Sequence, residues 1–96
     1  MSPKNKIKLK LLREKLDNLD YQLLKIIKKR TELVKKVLIL KKYKNEIVDK
    51  KRINIILNKI KKESLKRNID PRITKRIWKN MIWSYIDFEK RNFKKK

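Results

Sequence analysis

Apolar residues recur along the first half of the chain at Leu9, Leu12, Leu16, Leu19, Leu23 and Ile26, and again at Leu33, Val37 and Leu40. The steps alternate between three and four, the period of a helix buried along one seam. The pattern predicts one helix from about Lys6 to Lys42, a span that holds no Pro or Gly. At ~1.5 Å per residue such a helix is roughly 55 Å long. A lone core in a chain of this size does not cover that length, so the seam calls for a partner chain. One member of the series breaks it: the position between Ile26 and Leu33 is Arg30.

YKNEIVD, residues 43 to 49, interrupts the pattern with turn-prone Asn45 and closes on Asp49, which suits a helix N-cap. A second helix is predicted from about Lys50 to Lys66, with Ile53, Ile56, Leu57 and Ile60 on one face. RNIDPR then supplies the clearest punctuation. Asp70 as N-cap and Pro71 at the first helical position open a third helix that runs to about Phe93. It carries Ile73, Ile77, Met81 and Ser84 on one stripe, with Trp78, Ile82, Tyr85 and Glu89 beside it. No strand signal or internal repeat competes with these helices. The first few residues and the tail FKKK are expected to fray. The fold class is therefore all-α: three helices, one long and two shorter, in a single domain over 1–96 with its core at about 9–93.

Composition sharpens the need for a partner. At 96 residues, 44% of them charged, and a formal charge of +22, a lone core is marginal. There is no Cys for a disulfide and no Cys or His for a zinc site, which leaves oligomerisation as the source of stability. The N-terminus MSPKNKIKLK is basic without a continuous apolar run, so no secretion leader is expected, and no stretch is apolar enough to span a bilayer. The expectation is a soluble, cytoplasmic protein with no membrane partner.

The charge also invites a nucleic-acid reading, a basic helical binding module. The chain has no Gly, Ala or His and abounds in Lys, Ile and Asn, the bias of an AT-rich coding background in which Lys fills tolerant surface positions. Only seven of the 32 basic residues are Arg, and these carry more information. The binding-module reading accounts for the charge but leaves Arg30 within the seam without a reason, and nucleic acid is the less favoured partner.

Arg30 has two explanations. It can set register, as a buried Asn does in a coiled coil, or snorkel to the edge. It can also face an internal anion, because a guanidinium forks two hydrogen bonds onto a carboxylate. Lys41 lies 11 residues further on, three helical turns, and so projects from nearly the same face. Arg13 lies 17 residues earlier, roughly 25 Å along one helix, too far for one small molecule to touch both. If the long helix pairs antiparallel with its copy, crossing near Tyr21 and Gln22, the partner's Arg13 approaches Arg30 and two symmetric sites result. Glu89 follows Trp78, Ile82 and Tyr85 at helical spacing, and a carboxyl facing a buried site favours the neutral acid that donates a hydrogen bond. The bland alternative is a carboxylate at an exposed helix end. Asp49 and Arg52, three apart, read as a cap and a surface charge. With no His, Cys or Gly, a Ser-His-Asp set, a metal cluster and a Gly-rich phosphate loop are all excluded.

These residues, in LLREKLDNLDYQLLKIIKKRTELVKKVLILKK, VDKKR and IDPRITKRIWKNMIWSYIDFE, resemble the all-helical chorismate mutase family over about residues 9 to 93. The family opens on Leu-Arg-x-x-[IL]-[DS]-x-[LI]-Asp, matched by Leu12, Arg13, Leu16, Asp17, Leu19 and Asp20. An Arg followed by Glu-Leu is matched by Arg30, Glu32 and Leu33, and the Lys after it by Lys41. The resemblance implies an intertwined homodimeric helical bundle with each active site built from both chains. It implies an intramolecular Claisen rearrangement of chorismate to prephenate, on the route to phenylalanine and tyrosine, without metal, cofactor or covalent intermediate. It implies that Arg30 and the partner's Arg13 hold the two carboxylates of the dianion. Lys41 and a neutral Glu89 donate to the ether oxygen, Arg52 adds positive potential, and Asp49 and Tyr85 sit at the rim.

Two departures bear on the substrate. Many mutases have Glu, a ligand for the ring hydroxyl, where this chain has Ile53, and many have Gln where it has Glu89. An apolar residue at the Ile53 position resembles the sister isochorismate-pyruvate lyases, which make salicylate. The mutase is the favoured reading, and the lyase is its alternative.

Overall fold

The computed structural model describes residues 1–94; Lys95 and Lys96, the end of the tail expected to fray, lie outside the described residues. The chain forms α1 (Pro3–Leu40), a short 3-10 turn (Lys44–Glu46), α2 (Lys50–Lys66) and α3 (Pro71–Asn92), with no strand among the described residues. The two shorter helices keep the boundaries that their caps predict. Helix α1 begins three residues earlier than the apolar pattern requires, because Ser2 caps it. The Ser2 hydroxyl accepts from the Asn5 N–H at 3.2 Å, and Pro3 takes the first helical position, where no N–H is needed.

Two compact units divide the chain, residues 1–33 and residues 34 onward. The first is most of α1, a bare amphipathic helix. Its seam residues Leu12, Leu16, Leu19, Leu23 and Ile26 are each 53–60% exposed. Apolar surface left in water at this scale forgoes ~25 cal/mol per Å².

The second unit holds the end of α1, the loop, α2 and α3. Its core is Ile47, Ile82 and Ile86, flanked by Leu38, Val48, Ile53, Ile56, Leu57 and Phe93. The loop is ordered by Glu46, whose carboxylate turns back to accept the N–H groups of Lys42 at 3.2 Å and Tyr43 at 2.8 Å. That fold-back seats Ile47 in the core. Asp49 then caps α2, accepting from the Arg52 N–H at 3.0 Å.

Helix α2 is closed by Asn68, two residues past its end and in the left-handed region at φ 55°. The N–H of Asn68 reaches the Leu65 carbonyl at 3.3 Å, and that of Ile69 reaches Ser64 at 2.9 Å. This is the paired closure that normally takes Gly, with Asn as the tolerated substitute in a chain that has no Gly. Asp70 restarts the chain as cap of α3, accepting from the Arg72 N–H at 2.9 Å. Helices α2 and α3 pack on each other. Between them the buried Ser64 hydroxyl lies 2.7 Å from that of Thr74 and 2.6 Å from the Ile60 carbonyl, so the pair is buried with its hydrogen bonds made.

Of the two stripes on α3, the one that packs inward is Trp78, Ile82, Tyr85 and Glu89, with Ile82 and Glu89 buried. Ile73 and Ile77 of the other stripe stay exposed.

Candidate active site

Lys41 follows the last residue of α1, and its N–H closes onto the Leu38 carbonyl at 3.1 Å. The side chain leaves this turn toward α3. There its ammonium donates to both oxygens of Glu89, at 3.0 and 3.2 Å. Glu89 is buried in the last turns of α3. It follows Ile82 and Ile86 on the inward face, so helical spacing alone carries a carboxyl into an apolar wall. A charge there is tolerated because a partner of opposite sign meets it with hydrogen bonds. Tyr85, one turn before Glu89, is half-buried on the same face.

Asp49 and Arg52 mark the start of α2, both exposed, and the bond that joins them is the cap onto the Arg52 backbone. The Arg52 guanidinium is therefore not held by Asp49 through that bond. An open depression of ≈ 680 Å³ lies here, lined by Lys41, Asn45, Glu46, Val48, Asp49 and Lys50. Sequence reasoning missed Glu46, which orders the loop carrying Lys41. Its signal was a carboxylate three residues after Tyr43 in a turn-prone stretch, the spacing at which a side chain folds back onto a backbone N–H.

In the 1–33 unit, Arg13 is exposed and Arg30 is half-buried. Ile26 and Leu33, the apolar residues on either side of Arg30 in the seam, are each 60% exposed. The usual order of burial is inverted at this point, the cation being better covered than its hydrocarbon neighbours. Arg13 and Arg30 stand on one continuous run of helix, 17 residues or roughly 25 Å apart. A single chain thus brings Lys41 to Glu89 and Asp49 to Arg52, and it keeps Arg13 away from Arg30.

The arrangement offers cations and a carboxyl group, suited to binding and reorganising an anion. Among the described residues no group of three or more His, Cys, Asp or Glu is placed to hold a metal ion, and no helix is long and apolar enough to cross a membrane.

The profile of the family described as chorismate mutase type II covers residues 12–90, a span that contains Arg13, Arg30, Lys41, Asp49, Arg52, Tyr85 and Glu89. No curated protein and no solved structure matches the chain.

Proposed function

The chain belongs to the chorismate mutase type II family, and on that premise we propose that it converts chorismate to prephenate at a site shared between two copies of itself. The observation that carries the proposal is the Lys41–Glu89 pair, a buried carboxyl in an apolar wall met by a half-buried ammonium within the matched span. The reaction is internal to one molecule: the ether C–O bond breaks as a C–C bond forms, with no proton or electron exchanged with the protein. What a protein can supply is conformation and electrostatics.

Each carboxylate of the substrate is held by a guanidinium, one from Arg30 and one from the partner's Arg13, and this restricts the rotating enolpyruvyl arm. As the C–O bond lengthens, negative charge grows on the ether oxygen. The Lys41 ammonium and a protonated Glu89 donate to it, so both stabilise the transition state more than the ground state. In the free chain the same two groups bond to each other. Substrate therefore meets an ammonium that is already in place, and its ether oxygen replaces Glu89 as the acceptor for Lys41. Arg52 contributes positive potential at the mouth, and Asp49 and Tyr85 form the rim.

Dimerisation is supported by the exposed seam of α1 and by the burial order at Arg30. A second α1 laid antiparallel over the seam covers the leucines and delivers the partner's Arg13 near Arg30.

A second reading has its own observation. Ile53 packs against the Ile47, Ile82 and Ile86 core, so hydrocarbon stands at the position of the ring-hydroxyl ligand in many mutases. That favours a site indifferent to the hydroxyl's position, as in isochorismate-pyruvate lyases. Incubating the purified protein separately with chorismate and isochorismate, and identifying products by chromatography, decides between them. Prephenate from chorismate supports the mutase. Salicylate and pyruvate from isochorismate alone support the lyase, and no turnover of either rejects both.

A further inference from the structure

From the α2–α3 face of the second unit, we propose that the chain binds single-stranded nucleic acid there, a function separate from the anion site at Lys41 and independent of the mutase reading. The groove between the two helices has a volume of ≈ 500 Å³. Its walls carry Asn54, Asn58 and Lys61 from α2 and Arg72, Lys75 and Lys79 from α3, over a floor that includes Leu57 and the buried Thr74.

Total charge does not carry this inference, since lysine is abundant everywhere in the chain. The placement of acids does. Residues 50–62 and 71–86 contain no Asp or Glu, although the chain has ten. Among the described residues, the exposed ion pairs of α2 and α3 use Lys66, Arg67, Arg72 and Arg91, and none of them uses Lys61, Lys75 or Lys79. Asp70 meets the Arg72 guanidinium at one end of the groove, at 3.0 Å, and leaves Lys61, Lys75 and Lys79 as the cations available to a ligand. A coding bias toward lysine adds cations but does not by itself keep carboxylates out of both segments.

The spacing fits a strand of phosphates. Asn54, Asn58 and Lys61 fall one turn apart on α2, and Arg72, Lys75 and Lys79 do so on α3, about 5.4 Å per turn. Amides and ammonium groups on facing walls are the donors that track a sugar-phosphate backbone without reading its sequence.

One turn beyond Lys79, on the same side of α3, Trp83 is 53% exposed. An indole at the end of a basic groove is a stacking platform for an unpaired base. A duplex offers no such base, which is why the single strand is the favoured occupant. Ile73 borders this wall, sharing a neighbouring open depression with Arg72, Lys75, Arg76 and Lys79.

The test is fluorescence anisotropy of a short fluorescein-labelled oligothymidylate with the full chain, titrated from about 50 to 200 mM salt. Affinity should fall with salt, and replacing Lys61, Lys75 and Lys79 together by Gln should reduce the log–log slope by about 2, at about 0.7 per phosphate contact. Trp83→Leu should weaken binding about tenfold with the slope unchanged. Chorismate turnover should be the same in all these variants. The control replaces Lys4, Lys6 and Lys8 by Gln, an equal loss of charge on α1, and should leave the slope in place. If that control weakens binding as much as the groove variant does, attraction is general and the site is wrong. Equal affinity for duplex DNA or for phosphatidylserine vesicles likewise overturns the single-strand assignment.

Discussion

Lys41 donates to both carboxylate oxygens of Glu89, at 3.0 and 3.2 Å, across 48 residues of sequence. The pair does two things, and substitutions separate them. It neutralises a carboxyl in an apolar wall, and it places an ammonium where the ether oxygen of the substrate is expected. Lys41→Ala should lower kcat on chorismate by about 10²–10³-fold, the usual effect of losing one oxyanion donor. It should also lower stability by about 2–3 kcal/mol, since Glu89 loses its partner while the Lys41 side chain was still 18% exposed. A Lys41→Met, Glu89→Leu double variant should recover the stability and not the turnover. Chemical denaturation beside steady-state kinetics reads both. Turnover returning with stability would assign the pair a purely structural role.

Glu89 acts on the ether oxygen as a hydrogen-bond donor in the proposed site, although in the free chain it accepts from Lys41. Glu89→Gln, whose amide donates, should therefore keep turnover on chorismate, and Glu89→Ala should lower kcat by about 10²–10³-fold. A Glu89→Ala variant that turns over at the wild-type rate would remove Glu89 from the ether oxygen.

If each site takes Arg13 from the partner and Lys41 from its own chain, two inactive variants should complement. Arg13→Ala and Lys41→Ala should each be nearly inactive as homodimers. Mixed after unfolding and refolding, half of the dimers are heterodimers with one intact site of two, so about a quarter of wild-type activity should return. Sedimentation velocity confirms the dimer in the same samples. No recovery in a mixture that does form heterodimers would mean that Arg13 and Lys41 enter each site from the same chain.

The start of α3 should be sensitive to acid. The Arg72 side chain, and after it the Arg72 backbone N–H, hold the Asp70 carboxyl below its ordinary value of 3.8. A carboxyl held lower in the folded state than in the unfolded one stabilises the fold above the unfolded value, and that contribution is lost as pH falls through the folded one. Asp70→Asn keeps an acceptor for the cap but does not titrate. The gap in thermal midpoint between wild type and Asp70→Asn should therefore shrink as pH drops below about 4. A gap that is constant across this range would mean that the Asp70–Arg72 contact does not contribute.

The fold was legible where a local device decides the outcome. Asp49, Asp70 and Pro71 announce the starts of α2 and α3, and both helices begin where those residues put them. Ser2 and Pro3 give the same signal for α1, which apolar spacing alone overlooks because no seam residue comes before Leu9. Periodicity identified both stripes on α3 but does not say which one turns inward. That choice depends on α2 and the 43–49 loop, which meet the Ile82 and Glu89 side.

Arg30 was legible as an exception within the seam, and it is half-buried where Ile26 and Leu33 are exposed. The Lys41–Glu89 bond was not legible. Helical spacing relates residues on one helix, whereas this contact joins the turn after α1 to the end of α3. The Ser64–Thr74 hydroxyl pair escaped for the same reason.

The most direct measurement sets wild type and Arg30→Ala side by side, following chorismate consumption and prephenate formation, with sedimentation run on both. The wild type should form prephenate. Arg30→Ala should remain a folded dimer and lose about 10²–10³-fold in kcat/KM, as expected when a charged partner is removed from a held carboxylate. An Arg30→Ala dimer that turns over at the wild-type rate, or a wild type that forms no prephenate, would contradict the proposed site.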